Sequence, residues 1–161
     1  MECFTRRETL VLTRMSASQL AYLTKIGIVT PNRVQRAGIT RLLYTWEQVL
    51  ELRAIQHLRR QTSLQTIRKV VDFLARNGGD RTLHNKQLII HPTGDIDWVR
   101  PDPAAPSHHI VQVACRANRH VGQIRLVALP PLSELVHEVW AAAQRSKVID
   151  FEHFKQRARS R

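Results

Sequence analysis

The stretch RRETLVLTRMSASQLAYLTKIGIVTPNR, residues 6–33, decides the fold of the first half of the chain. Two capping boxes lie in and beside it, in which a hydroxyl and a side chain three residues later satisfy the free amides at a helix start. These boxes are Thr5 with Glu8 and Ser16 with Gln19. They predict two short helices joined by Thr13-Arg14-Met15. This length and turn are typical of a helix-turn-helix, whose second helix enters the major groove of DNA.

Two further capping boxes follow, Thr45 with Gln48 and Thr62 with Gln65, each ahead of apolar residues at helical spacing. They predict a third and a fourth helix. Between Gly27 and Thr45, the turn-forming Ala37-Gly38 lies among β-branched and aromatic residues, which favours a small hairpin. We interpret this hairpin as the wing of a winged helix-turn-helix.

The second half has a different character. Residues 87–99 predict two strands about a turn, and residues 110–116 and 122–129 predict two more. An amphipathic helix is predicted within residues 129–145, and a basic helical tail within residues 150–161. We therefore expect an α+β protein with a winged helix-turn-helix domain at residues 1–79 and a small α+β dimerisation module at residues 80–161.

The apolar side of the helix within residues 129–145 is the candidate dimer interface. Its members share one helical face. They are Leu132, Leu135, Val136, Val139 and Trp140.

The charge of the chain favours a polyanionic partner. It has 25 Lys and Arg against 13 Asp and Glu, a formal net charge of +12. Residues 5–41 hold seven of the basic side chains and a single acid, Glu8. A basic surface can serve solubility alone, but this concentration at the predicted helix-turn-helix favours nucleic acid.

The candidate DNA contacts come from three places: the start of the first helix, the second helix and the wing. Arginines at a helix start or on a wing suit phosphates, and hydroxyl, amide and phenol groups on the second helix suit base edges. The capping role of Ser16 is the alternative to a DNA contact. The predicted set is Arg6, Arg7, Ser16, Ser18, Gln19, Tyr22, Lys25, Arg33, Arg36 and Arg41.

Residues 5–75 resemble the DNA-binding domain of the MerR family. The resemblance rests on Leu20 to Pro31, similar to the family's recognition helix running into its wing, on Tyr44-Thr45-Trp46, and on the Ser-Leu-x-x-Ile-Arg element at residues 63–68. It implies a winged helix-turn-helix that binds a partly palindromic promoter element as a homodimer and controls transcription, often by untwisting or bending the DNA. The long dimerisation helix and the effector module of the family's larger members are not visible here.

Metal and membrane functions are not expected. Cys3 and Cys115 have no C-x-x-C partner, and the spacing of His108, His109 and His120 matches no zinc pattern, so we expect no metal and no cofactor. No apolar run is long enough to span a membrane and no secretory signal is visible, so a cytoplasmic protein is expected. Because the sequence lacks a Ser/His/Asp order, a glycine-rich phosphate loop and a suitable acidic pair, we expect no enzyme.

Two functions remain open from the sequence. The first is a homodimeric repressor of its own or a neighbouring operon, without an identified small-molecule effector. The chain is similar in this respect to compact repressors encoded beside type V-K CRISPR-associated transposons. The alternative is the antitoxin of a toxin–antitoxin pair, which would bind DNA through its first half and a protein toxin through its second half.

Overall fold

The computed structural model describes residues 3–36, 38–77, 80–91, 95–101, 108–114 and 127–159. The chain forms two compact units, Met1–Gln56 with Leu132–Arg161, and His57–Pro131. The elements in chain order are β1 (Phe4–Thr5), α1 (Arg6–Thr13), α2 (Ala17–Lys25), β2 (Asn32–Arg36), β3 (Ile39–Tyr44), α3 (Trp46–Arg59), α4 (Leu64–Asn77), β4 (Gln87–Ile90), β5 (Ile96–Pro101), β6 (His108–Ala114), β7 (Val127–Ala128), α5 (Leu132–Arg145) and α6 (Phe151–Arg159). The expected α+β class is confirmed.

The helix-turn-helix of the first unit consists of α1 and α2. Both N-terminal capping boxes form as predicted, with Thr5 and Ser16 as the capping residues. The turn between the helices begins at Arg14, whose backbone is left-handed with φ 56°. This conformation is uncommon for a residue with a Cβ atom.

The wing is a hairpin of β2 and β3, as predicted, with Gly38 at its tip in a positive-φ conformation. The sequence did not predict a third strand in this sheet. Phe4 and Thr5 pair with Tyr44 and Leu43, so the strand order is β1-β3-β2. The wing is thereby joined through its own sheet to the start of α1.

The C-terminal helices belong to the same unit as the helix-turn-helix, since α5 packs against α1 and α6 against α5. The bounds of the compact units therefore differ from the predicted division at residue 79. The strands of the second half belong to the other unit, whereas the helices that follow them in sequence do not. The functional division into residues 1–79 and 80–161 stays a prediction from the sequence.

An aromatic cluster fills the core where β1, α3, α5 and α6 meet. Phe154 lies at its centre, with ring centroids 5.2 Å from Trp140, 5.8 Å from Phe4 and 6.0 Å from Trp46. The side chains of Phe4 and Phe154 are fully buried. Edge-on and tilted ring pairs of this kind add to the stabilisation that burial provides.

The second unit combines α4 with a four-stranded antiparallel sheet of order β6-β5-β4-β7. The predicted pair of strands within residues 87–99 forms, with Leu88 opposite Trp98. Of the last predicted strand, Val127–Ala128 pairs with β4, while residues 122–126 and Cys115 lie outside the described residues.

The predicted start of the fourth helix is wrong by one residue. The hydroxyl of Ser63 accepts a hydrogen bond from the backbone amide of Thr66 at 3.1 Å, so Ser63 is the cap in place of Thr62. Thr62 instead donates its amide to the carbonyl of Leu58 at 2.9 Å, which continues the end of α3. Two adjacent hydroxyl residues offered alternative caps, and the sequence pattern selected the wrong one.

Candidate DNA-binding surface

The helix α2 exposes one face and buries the other. Leu20 and Leu23 are buried, and Tyr22 and Lys25 are exposed, with 45% of Tyr22 accessible. A large phenol ring exposed to this degree is free to contact a partner. The geometry therefore presents Tyr22 and Lys25 on the accessible side of the second helix of the motif.

The polar residues at the start of α2 are partly engaged in the cap. The Ser16 hydroxyl accepts from the Gln19 amide at 3.2 Å, and the Gln19 side-chain oxygen accepts from the Ser16 amide at 2.9 Å. The Ser18 hydroxyl lies 3.0 Å from that of Ser16. The capping interpretation of Ser16 is thus confirmed. A DNA contact by these residues requires the donors and acceptors that the cap does not use, such as the side-chain nitrogen (Nε2) of Gln19.

Arg6 and Arg7 are exposed at the start of α1. The Arg6 guanidinium donates to the carbonyl of Ala17 at 3.4 Å, which brings it to the N-terminal turn of α2. This hydrogen bond places Arg6, a predicted phosphate contact, next to the second helix.

The wing arginines do not share one face. In the hairpin register Arg33 lies opposite Leu42, whereas Arg41 lies opposite Val34. Directly opposed residues share a face and adjacent residues alternate, so Arg33 and Arg41 lie on opposite faces. The backbone of Arg36 pairs with Ile39, and its side chain lies outside what the structure describes.

Arg53 of α3 supports the helix-turn-helix from the protein interior. This role was not predicted from the sequence. The Arg53 side chain is buried and donates to the Thr13 carbonyl at 3.1 Å and to Glu138 of α5 at 2.7 Å. Gln56 donates to the Arg14 carbonyl at 3.3 Å. The last turn of α1 and the turn before α2 are therefore fixed by α3, and α5 fixes Arg53 in turn.

A second ion pair joins α6 to α1. Arg157 is buried and donates to Glu8 at 2.6 Å and to the Cys3 carbonyl at 3.1 Å, and its guanidinium lies over the Phe4 ring. Burial alone raises the pKa of Glu8, but hydrogen bonds from Arg157 and Thr5 and the charge of Arg157 outweigh it, so the pKa of Glu8 is lowered from its ordinary value of 4.5. The predicted basic tail thus contributes Arg157 to the interior.

The predicted dimer residues of α5 divide into two sets. Leu135 and Val139 are fully buried in the first unit, whereas Leu132 is exposed and Val136 and Trp140 are partly accessible. Val136 and Trp140 line a groove of about 580 Å³ between α5 and Phe151. A partner can reach only the accessible set in this arrangement.

Metal ligands are not gathered within the described part of the chain, where no three His, Cys, Asp or Glu residues lie together as a metal site. Cys115 and His120 lie outside it, and nothing is described of the His108 and His109 side chains. Within the same part of the chain, no helix is both long and apolar enough to cross a membrane.

The helices α1 and α2 together with the β2-β3 hairpin give the first unit the fold of a winged helix-turn-helix. Residues 5–74 match the family model described as MerR HTH family regulatory protein. The match covers less than half of the 161 residues, and it shows that this part of the chain is similar to the helix-turn-helix of MerR-family regulators, a similarity that points to a DNA-binding transcription regulator. No curated protein matches the chain with significant similarity.

Proposed function

We propose that the chain is a repressor that binds a partly palindromic promoter element as a homodimer. The observation that carries the proposal is the exposed Tyr22 and Lys25 face of α2 within a domain similar to that of MerR-family regulators. Residues 9–46 contain no acidic side chain, so no fixed negative charge from this stretch opposes the approach of DNA.

In the proposed complex α2 enters the major groove. Tyr22 and Lys25 face base edges or the nearest phosphates. Ser16, Ser18 and Gln19, at the start of the helix, contact the DNA through the hydrogen-bond donors and acceptors that the cap does not use. Arg6 and Arg7 bind phosphates beside it. Arg33, Arg36 and Arg41 extend the contact along the wing, with Arg33 and Arg41 on opposite faces of the hairpin, and each phosphate neutralised releases counterions.

The homodimer is proposed to use the accessible side of α5. A pseudo-palindromic site needs two copies related by a two-fold axis, and such an interface contains the same surface from each copy. Leu132, Val136 and Trp140 supply apolar surface for it, while Leu135 and Val139 support the helix from the core.

The dimer is tested by replacing Leu132, at the edge of the proposed interface, with lysine. Leu132→Lys should shift the chain towards the monomer in sedimentation equilibrium, because it places a charge in an apolar contact. Val148→Lys is the matched control, since Val148 is also exposed but lies after α5. Equal masses for the two variants and the unaltered chain would remove α5 from the interface.

Repression is proposed because the sequence of residues 80–161 contains no recognised pattern of sensor residues, so promoter occupancy itself is the simplest means of control. The proposed targets are the promoter of the chain's own operon or of a neighbouring one, with CRISPR-associated transposon genes as a candidate set. Genome-wide mapping of bound DNA identifies the targets, and a reporter gene behind each mapped promoter gives the sign of regulation. Higher reporter output in the presence of the chain would contradict repression.

DNA binding is tested with duplexes selected from random sequence by the chain itself. Tyr22→Ala should weaken binding about tenfold, the usual range for a lost base contact. Lys147→Ala is the control, because Lys147 is an exposed cation outside the proposed surface. If Tyr22→Ala and Lys147→Ala bind like the unaltered chain, α2 is not the reading helix.

A further inference from the structure

The wing carries two exposed aliphatic side chains that phosphate binding does not explain. Ile39 is 60% exposed and Val34 is 42% exposed. An arginine-rich wing needs no aliphatic groups to neutralise phosphates, and Thr40 on the same hairpin shows that a polar β-branched residue fits the strand. Neighbouring exposed apolar groups on a binding element are candidates for contact with a partner.

The two side chains lie on one face of the hairpin. Val34 is directly opposite Arg41, and Ile39 precedes Arg41 by two residues on the same strand. Residues two apart share a face, so Val34 and Ile39 are diagonal neighbours beside Arg41. The opposite face contains Arg33 with Leu42, which is partly buried, and the pair Gln35 with Thr40, so the two exposed aliphatic residues lie on the Arg41 face. The aliphatic pair is therefore gathered on one side of the hairpin beside a cation.

We propose that Val34 and Ile39 form an apolar edge that enters the minor groove of DNA and favours A·T base pairs there. The inference rests on the proposed function and assigns the wing face that meets the groove. The positive charge of this face favours DNA as its partner, because Arg41 lies on the same face and residues 9–46 contain no acidic side chain.

The chemistry of the minor groove explains the base preference. Its walls are deoxyribose, which is largely apolar, and its floor differs between base pairs mainly by the amino group of guanine. An aliphatic side chain offers that amino group no acceptor, so covering it leaves a buried donor unsatisfied. A·T pairs present no such donor. Proteins that bind this groove frequently insert apolar side chains between its base steps.

The wing as a whole is too wide for the minor groove, which is roughly 6 Å across and admits side chains rather than a two-stranded ribbon. The contact is therefore made by the side chains of Val34 and Ile39, while Arg41 beside them reaches the flanking phosphates. Apolar contact and phosphate contact are separable in solution, since only the second depends steeply on salt.

The test measures affinity for a selected duplex over a range of salt concentrations. Ile39→Ser should weaken binding about tenfold, from the apolar surface lost, and leave the salt slope unchanged. Val34→Thr, which keeps shape and strand preference, should weaken binding about threefold in the same way. Arg41→Ala should reduce the salt slope by about 0.9. Val148→Ser is the control, since Val148 is an aliphatic residue exposed to 41% elsewhere in the same unit.

Base analogues show which groove the wing contacts. They replace, one at a time, the A·T pairs that the selected duplexes share beside the site bound by α2. An inosine·cytosine pair lacks the guanine amino group, so it resembles A·T in the minor groove and G·C in the major groove. The proposal expects inosine·cytosine to bind like A·T and G·C to bind more weakly. Inosine·cytosine binding as weakly as G·C would overturn it.

Two protein results also overturn the proposal: binding by Ile39→Ser equal to that of the unaltered chain, or a change of oligomeric state in Ile39→Ser, which would make the patch a contact between copies. A folded Ile39→Ser by circular dichroism validates the comparison. Failure of the unaltered chain to select any duplex would instead refute the proposed function itself.

Discussion

At the scale of single residues, Glu8 has two roles. It closes the capping box of α1 and it accepts hydrogen bonds from Arg157 of α6. Arg157→Met should lower the free energy of unfolding by about 3 kcal/mol, because it leaves a largely buried carboxylate without its partner. Urea denaturation measures this, and Lys147→Met at an exposed site serves as the control. A loss no greater than the control's would show that the ion pair does not stabilise the fold.

The lowered pKa of Glu8 predicts acid sensitivity. A carboxyl group with a lower pKa in the folded than in the unfolded chain stabilises the fold fully above its ordinary pKa of 4.5, and this stabilisation is lost as the pH falls through the folded value. Glu8→Gln should therefore lose less stability than the unaltered chain between neutral and acid pH. Glu152→Gln, at an exposed carboxylate, should keep the original pH profile. Parallel profiles for the unaltered chain and Glu8→Gln would exclude Glu8 as a source of the acid sensitivity.

Arg14 occupies a conformation that glycine adopts more easily. Its φ of 56° costs a residue with a Cβ atom about 1 kcal/mol. Arg14→Gly removes this cost but increases the entropy of the unfolded chain, so the net gain in stability should be about 0.5 kcal/mol. Arg14→Val should destabilise, because a β-branched residue fits this region poorly. Thermal unfolding of both variants gives the order, and greater stability of the valine variant would contradict it.

At the scale of elements, two substitutions distinguish the observed cap of α4, Ser63, from Thr62, the cap expected from the sequence. Ser63→Ala should cost about 1 kcal/mol, because the Thr66 amide loses its acceptor. Thr62→Ala should cost only a few tenths. The two adjacent substitutions are mutual controls in urea denaturation. A larger loss for Thr62→Ala would restore the cap predicted from the sequence.

Local patterns predicted most of the elements. Three of the four capping boxes form as expected, because a capping box depends only on residues within one helical turn. The wing followed from its turn and its β-branched residues. The strand β1 was missed because Phe4–Thr5 is too short to form a pattern, and its pairing depends on Tyr44 forty residues later in the chain.

The candidate site was predicted in part. Exposure of Tyr22 and Lys25 follows from the helical period that buries Leu20 and Leu23. The separation of Arg33 from Arg41 by hairpin register, and the support of Thr13 by Arg53, depend on pairing and tertiary contact. Such contacts between distant residues leave no period or spacing in the sequence.

At the scale of the whole molecule, the C-terminal helices complete the unit that contains the helix-turn-helix. Apolar periodicity in α5 identified a face that must be covered, but it could not identify the cover. Leu135 and Val139 are buried within the chain itself, and Phe154 fills the space among Phe4, Trp46 and Trp140. The sequence suggested that a second copy covers the whole apolar face of α5. In the folded chain, only the accessible residues of that face are available to a second copy.

This arrangement predicts that a core substitution in α6 damages DNA binding from a distance. Phe154→Ala should destabilise the first unit by about 3–5 kcal/mol and lower affinity for DNA near its unfolding temperature. Val148→Ala, at an exposed site beside α6, should change neither property. Unfolding followed by circular dichroism, with binding measured at matched temperatures, makes the comparison. Unaltered stability in Phe154→Ala would show that α6 is not part of this core.

The central claim, that α2 and the wing together grip DNA, is tested most directly by titrating one selected duplex with the chain and with Tyr22→Ala, Arg41→Ala and their combination, over a range of salt concentrations. The account predicts weaker binding for both single variants, a salt slope reduced by about 0.9 only where Arg41 is replaced, and nearly additive losses in the double variant. Unchanged affinity and salt slope in the double variant would contradict it.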